Sequence, residues 1–320
     1  MDSKKDGNIP TFHIKADSIP EAYWKAIHTV HNKGYELRTQ YDRKDDNEGF
    51  IDPPGKDAKV TIEITHPFAQ PRFPVLSYCE IGKYIAEFLG AKNHLVVPYE
   101  DLIKMVKEEQ EFEATQWPYC YHQRLTAYPK ADGTTINQLE VILDKLAKDP
   151  ISRRAVAVTA VPEIDLFMKE DQPCLREIQL RAIENNGKLV LNMHANWRSR
   201  DLYKAWGDNL IGITNLQARL ANRLQEKTGR KVVVGSYTET NGSLHIYGQD
   251  YSQKGMDTFF KNFKSIKSFI KRSKTSKDKL QLITQELEEL KNEKTWKFTT
   301  KEINIIDTII ADYKSGKFLP

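Results

Sequence analysis

Residues 177–201 read EIQLRAIENNGKLVLNMHANWRSRD and carry the clearest structural pattern in the chain. Apolar and polar residues alternate over 177–183 and again over 188–197, which is the period of a half-buried β-strand. The tripeptide Asn185-Asn186-Gly187 between the two runs is typical of a tight turn. We therefore predict a β-hairpin whose second strand has one polar and one apolar face. The polar face carries Asn192, His194 and Asn196, and the apolar face carries Leu189, Leu191, Met193, Ala195 and Trp197.

Strand and helix patterns are interspersed along the rest of the chain. Strands are predicted at 60–64, at 155–161 and as a final pair around 231–247 with Asn241-Gly242 as its turn. A helix is predicted between Ser18 and Gly34, and residues 41–58 are predicted to be a loop. Further helices are predicted over 77–89, 99–108, 136–148 and 209–226. This mixture indicates the α+β class.

Composition excludes several classes of protein. The 320 residues include 48 Lys+Arg, 44 Asp+Glu and 39% hydrophobic residues, with a mean hydropathy of −0.60. Disordered, collagen-like and membrane-spanning chains have other compositions, and the N-terminus MDSKKDGNIP has no apolar signal region. The widely spaced Cys79, Cys120 and Cys174 argue against a disulfide framework and a zinc site. We expect a soluble, cytoplasmic protein without a metal.

The composition changes after Tyr251. Residues 261–277 hold seven Lys/Arg and no acidic residue, and apolar residues at helical spacing follow. We therefore divide the chain into a catalytic domain, residues 1–251, and a basic helical C-terminal extension, residues 252–320. The basic segment could bind nucleic acid or a membrane surface, but such segments are more often the solvated face of a packed helix.

Three features of the sequence could support chemistry. Cys174 directly precedes a predicted strand, and arginines placed near a thiol favour the nucleophilic thiolate, although a single cysteine is more often a buried core residue. Ser152-Arg153-Arg154 and Arg198-Ser199 combine a hydroxyl with guanidinium groups, which suits a phosphate. His245 and Tyr247 lie two apart on a predicted strand, so both could contact one sugar hydroxyl.

Taken in order, five segments between about 117 and 247 resemble the thymidylate synthase superfamily, which includes thymidylate synthase and the pyrimidine nucleotide hydroxymethylases. The spacing between the segments is also close to that of the family. The segments are YHQRLTAYP (121–129) with Asp132-Gly133 and Ile136-Asn137-Gln138; DPISRR (149–154); Pro173-Cys174 with Gln179; Arg198-Ser199-x-Asp201 with Asn209; and Gly235, Thr240, Gly242, His245 and Tyr247.

The resemblance implies a fold and a reaction. The fold would be a mixed β-sheet with surrounding helices, packed sheet to sheet in a homodimer with shared active sites. Cys174 would add to C6 of a pyrimidine nucleoside monophosphate, and C5 would then attack a one-carbon unit from 5,10-methylenetetrahydrofolate. Tyr121 would help to remove the C5 proton through water. The residues that would bind the 5′-phosphate are Arg198, Ser199, Arg43 (or Arg38), and Arg153 and Arg154 of the partner subunit. His245 and Tyr247 would bind the ribose. Asn209 would bind the base, and Asp201 would support Asn209.

The sequence departs from the family at the position of its catalytic glutamate. That residue lies on a helix before a Gly-x-x-Asn turn, and Gly90-x-x-Asn93 is present here. The expected position holds Lys83 or Tyr84, whereas Glu80 and Glu87 lie about one turn to either side. Because these two glutamates are seven residues apart, they share a helix face, and either is a candidate for the catalytic role.

Other departures leave the product and the base open. The tryptophan-rich folate segment is missing around 95–110, and the chain ends in KFLP rather than in an apolar closing peptide. Weaker exclusion of water favours hydroxymethylation over reductive methylation. Asn209 favours uracil, whereas a one-residue shift to Asp208 would favour cytosine. The alternative to an enzyme is a non-catalytic relative that binds a nucleotide or a nucleic acid.

Overall fold

The computed structural model describes residues 7–75, 80–113, 115–169 and 172–316. The strands in these ranges are β1 (Thr11–Ala16), β2 (Tyr35–Leu37), β3 (Gly55–Ile64), β4 (Tyr128–Pro129), β5 (Thr135–Ile136), β6 (Val156–Val158), β7 (Leu175–Asn185), β8 (Lys188–Trp197), β9 (Arg200–Asp201) and β10 (Val232–Ile246). The helices are α1 (Ile19–Lys33), α2 (Ile81–Phe88), α3 (Tyr99–Lys107), α4 (Tyr121–Thr126), α5 (Gln138–Lys148), α6 (Pro162–Asp165), α7 (Trp206–Thr228), α8 (Gly248–Ser252), α9 (Gly255–Asn262), α10 (Ile266–Arg272), α11 (Ser276–Lys291) and α12 (Thr300–Lys314).

A mixed β-sheet forms the centre of the molecule. Its main path runs β1-β3-β10-β8-β7-β6, with β2 paired to β3 and β9 paired to β10. The pairs β1–β3 and β10–β8 are parallel, whereas β3–β10, β8–β7 and β7–β6 are antiparallel. Helices pack around this sheet, as the predicted α+β class requires.

The predicted hairpin is confirmed as β7 and β8. Asn185 pairs with Lys188, so the turn consists of Asn186 and Gly187, whose φ angles are 49° and 75°. Two successive residues with positive φ are the requirement of the tight hairpin turn that Asn-Gly favours. The five apolar positions of β8 are buried and the three polar positions are half-buried, so the polar face is also confirmed.

The predicted final strand pair is wrong. Val232–Ile246 is one continuous strand, β10, and the sequence Asn241-Gly242 lies at an irregularity within it instead of at a turn. The Asn241 side chain is buried and donates to the Val60 carbonyl at 3.2 Å. A Cβ at position 242 would lie 2.9 Å from the Arg198 carbonyl oxygen, so glycine permits the close approach of two backbones.

Helix α7 covers the buried face of the sheet. It extends the predicted 209–226 helix by a few residues at each end, and Gly229 ends it in the left-handed conformation, with φ 66°. The buried Gln217 side chain donates to the carbonyls of Leu191 in β8 and Ser236 in β10, at 2.9 and 3.1 Å. These hydrogen bonds fix the helix against two central strands.

The segment after Tyr251 is helical and packs on the sheet domain. Phe263 and Phe269 are buried, and the Phe269 ring stacks on Tyr23 of α1 with ring centroids 5.8 Å apart. The lysines between these aromatic residues are exposed, so the basic segment 261–277 has the solvated-face arrangement described above. None of the helices within the described ranges has the length and apolarity that a membrane span requires.

Candidate active site

Cys174 lies immediately before β7 and is half-buried. Its carbonyl oxygen accepts the Arg198 backbone N–H at 2.8 Å, which joins the start of β7 to the end of β8. The Arg198 guanidinium donates to the Gln172 carbonyl at 2.7 Å, and Arg176 donates to the Pro173 carbonyl at 3.2 Å. Two guanidinium groups are therefore fixed to the segment that presents the thiol, as the sequence predicts for a reactive cysteine.

Tyr121 adjoins this thiol. Its ring packs edge-on against Trp197, with centroids 5.7 Å apart. Burial raises the pKa of Tyr121 well above its ordinary value, the neighbouring Tyr119, Cys174 and Tyr84 raise it further, and the Leu175 backbone N–H lowers it in part. The phenol is therefore held in its neutral form beside the sulfur.

A cavity of about 290 Å³ brings together four of the predicted substrate-binding residues. They are Arg198, Ser199, His245 and Tyr247. The His245 and Tyr247 rings are perpendicular, with centroids 4.6 Å apart. Arg198 lines this cavity, and its backbone N–H donates to the Cys174 carbonyl, so Arg198 links the cavity to the segment that carries the thiol.

Ser243 and Asp57 are among the residues of this cavity that sequence analysis missed. The Ser243 hydroxyl donates to Asp57 at 2.7 Å and lies 3.2 Å from Nδ1 of His245. Burial raises the pKa of Asp57. Ser243 could have been found, because it alternates with His245 and Tyr247, but Asp57 falls in a region predicted to be a loop.

Asn209 is held by two side chains. Its amide nitrogen donates to the Tyr84 hydroxyl, and its amide oxygen accepts from Nε of Arg200 at 3.3 Å. Arg200 is buried and forms an ion pair with the buried Glu239, whose other oxygen accepts from Trp206 at 2.6 Å. Sequence analysis did not identify Arg200 or Glu239, because their pairing joins residues 39 apart.

Asp201 lies in β9, beside the loop that leads into α7. Its carboxylate accepts the Lys204 backbone N–H at 3.0 Å. Burial raises the pKa of Asp201 to about 6, although this hydrogen bond lowers it in part. The side chain is thus a half-buried carboxyl group close to the segment that carries Asn209.

The other arginines that the resemblance assigns to the phosphate do not line this cavity. Arg43 makes two hydrogen bonds to Asp52, both of 2.7 Å, and these hold the pKa of Asp52 at about 2. Arg38 donates to the Asp52 carbonyl at 2.7 Å. Arg153 and Arg154 are exposed. In this single chain, the described lining of the cavity contains none of these four side chains.

The two candidate glutamates are engaged elsewhere. Glu80 forms an ion pair with Lys83 at 2.7 Å, and its side chain is 57% exposed. Glu87 pairs with Lys92 at 3.2 Å; burial raises the pKa of Glu87, and Lys92 lowers it in part. The side chain of α2 that contacts Asn209 is instead Tyr84.

Cys120 provides a contrast to Cys174. It is buried at the N-terminus of α4, where its sulfur accepts the Gln123 backbone N–H at 3.4 Å. Burial raises the pKa of Cys120 to about 12. This thiol is therefore structural, whereas Cys79 lies outside the described residues. Over the part of the chain that the structure describes, no group of three or more His, Cys, Asp or Glu residues could hold a metal ion.

The fold is that of a family of one-carbon transferases. The family model for thymidylate synthase matches residues 99–317. A "Putative thymidylate synthase" of Methanocaldococcus jannaschii is 41% identical over 242 residues, which cover 73% of this chain and 90% of the relative. The chain therefore belongs to the thymidylate synthase family, whose members transfer a one-carbon unit to C5 of a pyrimidine nucleotide.

Two other comparisons bear on the fold and the chemistry. Deoxyuridylate hydroxymethyltransferase of Bacillus phage SP01 is 33% identical over 144 residues, which cover 42% of this chain and 34% of the phage protein. The solved structure of thermostable thymidylate synthase A from Bacillus subtilis matches with a TM-score of 0.52 and 19% identity. The match covers 75% of this chain and 83% of the Bacillus subtilis chain. The second likeness confirms the predicted thymidylate synthase-like α+β fold.

Proposed function

We propose that this chain transfers a one-carbon unit to C5 of dUMP through a covalent adduct on Cys174. The observation that carries this proposal is the convergence of Cys174, Tyr121 and a cavity lined by Arg198, Ser199, His245 and Tyr247. Thiol addition to a nucleotide ring requires a nucleophile beside a phosphate-binding and sugar-binding pocket. The two guanidinium groups bonded to the backbone near Cys174 favour its thiolate.

Different residues bind the nucleotide and carry out the chemical steps. Arg198 and Ser199 hold the 5′-phosphate, and His245 with Tyr247 holds the ribose. The Cys174 thiolate attacks C6, so that a sulfur–carbon bond forms and the π electrons of the C5–C6 bond move towards C5 and the oxygen at C4. The C5 carbon becomes nucleophilic and would bond to the one-carbon unit, while the bonds from that carbon to the folate nitrogens would break and leave their electron pairs on nitrogen. Neutral Tyr121 then relays the C5 proton to water.

The one-carbon donor proposed is 5,10-methylenetetrahydrofolate, which supplies a one-carbon unit at the oxidation level of formaldehyde. A cavity of about 870 Å³ lined by Trp117, Tyr119, Phe167 and Met168 fits its flat heterocycle. The Tyr119 ring lies 5.7 Å from that of Tyr121 between centroids, so this cavity adjoins the site. These four residues would hold the donor.

Hydroxymethylation is a second candidate outcome. The 33% identity to a deoxyuridylate hydroxymethyltransferase over 144 residues favours it. In this case water, instead of a hydride, adds to the final intermediate on the pyrimidine ring.

Release of tritium tests the proposal. The protein is incubated with dUMP or dCMP labelled at C5 and with 5,10-methylenetetrahydrofolate. We expect tritium release from dUMP to exceed that from dCMP. Binding of dUMP without any release would contradict the proposal and would indicate a non-catalytic relative. Absorbance at 340 nm distinguishes the two products, because only reductive methylation forms dihydrofolate.

A further inference from the structure

Asp57 places a carboxylate in the cavity that we propose for the sugar and the phosphate. It is the third residue of β3 and the antiparallel partner of His245 in β10. Side chains of directly paired residues lie on the same face of a sheet. Asp57 and His245 therefore face the same side, and both line the cavity.

Ser243 connects these two side chains. Its hydroxyl donates to Oδ2 of Asp57 at 2.7 Å. A serine has one hydroxyl hydrogen, so the Ser243 oxygen must accept from Nδ1 of His245, which lies 3.2 Å away. Hydrogen bonds thus run from His245 through Ser243 to Asp57, and they fix the orientation of the carboxylate.

The Asp57 carboxylate can accept more than the Ser243 hydroxyl. An ionised carboxylate has about four acceptor positions. In the described part of the chain, the side-chain hydrogen bond that Asp57 accepts is the bond from Ser243. Gly55 lies two residues earlier, on the same face of β3, and also lines the cavity. Because Gly55 has no side chain, it leaves room for a ligand hydroxyl beside the carboxylate.

The charges of the cavity determine which part of a nucleotide can lie beside Asp57. The phosphate belongs at Arg198 and Ser199, whose guanidinium and hydroxyl groups donate to phosphate oxygens. A carboxylate repels a phosphate, so the group beside Asp57 must be neutral and must donate a hydrogen bond. A deoxyribose that carries a 5′-phosphate has one such group, the 3′-hydroxyl.

We infer that Asp57 accepts a hydrogen bond from the 3′-hydroxyl of the bound nucleotide and so restricts the site to free mononucleotides, an inference that rests on the proposed function. A nucleotide within a DNA or RNA strand carries a phosphodiester at this oxygen. That group has no hydrogen to donate, and its negative charge would face the carboxylate. Asp57 is therefore a specificity-determining residue that selects against 3′-phosphorylated nucleotides and against uracil within a polynucleotide.

Calorimetry with three nucleotides tests this inference. They are dUMP, 2′,3′-dideoxyuridine 5′-monophosphate, which lacks the 3′-hydroxyl, and deoxyuridine 3′,5′-bisphosphate. Relative to dUMP, the wild type should bind the dideoxy compound about 30-fold more weakly and the bisphosphate about 100-fold more weakly. Asp57→Asn keeps the shape of the side chain and an acceptor for Ser243, but it removes the charge. Both ratios should fall about tenfold in this variant, and its melting temperature should change little.

Asp42→Asn is the matched control, because Asp42 also lines the cavity. Its carboxylate accepts from the Thr39 backbone N–H at 3.3 Å and forms an ion pair with Arg38 at 3.4 Å. Because Arg38 balances this charge, both ratios should stay within about twofold of their wild-type values. Equal falls in Asp42→Asn and Asp57→Asn would indicate a general effect of charge and would overturn the assignment to Asp57.

The outcomes separate this inference from the proposed function. Equal affinity of the wild type for all three nucleotides would overturn the inference without any variant, and so would unchanged ratios in Asp57→Asn. Tritium release from dUMP by the wild type would leave the role of Cys174 intact in both cases. If the wild type binds dUMP without releasing tritium, the proposed function fails, and the two ratios still decide the role of Asp57. If it does not bind dUMP, both are wrong.

Discussion

Cys174 and Cys120 show how the surroundings of one residue type determine its chemistry. Cys120 is buried at a helix N-terminus, and burial raises the pKa of its thiol to about 12. Cys174 is half-buried, and guanidinium groups are hydrogen-bonded to the backbone carbonyls of the two residues that precede it. A thiol needs both exposure and nearby positive charge to act as a nucleophile at neutral pH. Of the two, only Cys174 combines these conditions.

Asp201 should make stability depend on pH. Burial raises its pKa to about 6 from an ordinary value of 3.8, so the folded state binds the proton more tightly than the unfolded state. The free energy of unfolding should therefore decrease as pH rises from 4 to 6, by at most about 3 kcal/mol. Asp201→Asn should lack this decrease. The free energy of unfolding of the variant, measured by urea denaturation, should therefore rise relative to that of the wild type between pH 4 and pH 6.

Asp132→Asn is the control for this measurement. Asp132 is exposed, and its hydrogen bonds to Thr134 lower its pKa to about 2. A group with a lowered pKa contributes stability that is lost only as pH falls. This variant should therefore not reproduce the gain of Asp201→Asn, and parallel curves for Asp201→Asn and the wild type would refute the assignment.

Residues within short motifs could be predicted from the sequence, whereas partners distant in the chain could not. Arg198, Ser199, His245 and Tyr247 were predicted as substrate-binding residues from local spacing, and they line one cavity. The contact of Tyr84 with Asn209 joins residues 125 apart. It depends on how α2 packs against α7, and no local pattern encodes that packing.

At the scale of elements, α11 fixes the helix that carries Tyr84. The Gly82 backbone N–H at the start of α2 donates to the Glu286 carboxylate of α11 at 2.6 Å. The first N–H groups of a helix have no partner within it, so a carboxylate from another helix satisfies one of them. The role that we assign to the C-terminal helices is therefore to hold α2 in position.

Glu286→Ala should destabilise the fold by about 1–3 kcal/mol, because it leaves a buried N–H without its acceptor. Glu289→Ala, on the same helix, is the matched control. The side chain of Glu289 is 49% exposed and lies 4.0 Å from Lys83, so its loss should cost less than about 0.5 kcal/mol. The free energy of unfolding of both variants is measured by urea denaturation. Equal losses of stability would contradict the role of Glu286 in holding α2 in position.

The strand β10 shows where local signals fail. Asn-Gly is the strongest short hairpin signal, and it correctly predicted the turn at Asn186-Gly187. The same dipeptide at 241–242 lies within a strand whose neighbours are β3 on one side and β8, then β9, on the other. Pairing on both sides prevents the chain from reversing, and the dipeptide is accommodated as an irregularity.

At the scale of the whole molecule, the proposed dimer would cover a half-buried polar face of the sheet. The β8 residues Asn192, His194 and Asn196 are half-buried and polar, as one face of a sheet in a sheet-to-sheet contact could be. Arg153 and Arg154 are exposed and do not line the cavity of their own chain within the described residues. We propose that they complete the phosphate site of the partner subunit.

Mixing two inactive variants tests the shared site. Cys174→Ser lacks the nucleophile, and the double variant Arg153→Ala/Arg154→Ala lacks the donated arginines. In a mixed dimer, one site combines an intact Cys174 with intact arginines from the other subunit. Refolding the two together in equal amounts should restore about a quarter of wild-type tritium release. Each variant is also refolded alone as a control. If the mixture is as inactive as these controls, the arginines do not act across the interface.

The most direct test of the account is to locate the covalent bond to the nucleotide. A 5-fluorinated dUMP cannot lose fluorine as a cation, so the adduct should persist when 5,10-methylenetetrahydrofolate is present. After trypsin digestion, mass spectrometry should find the nucleotide on EDQPCLR, residues 170–176, which contains Cys174. An unmodified 170–176 peptide, or a nucleotide on the peptide of residues 108–124 that contains Cys120, would contradict the proposed mechanism.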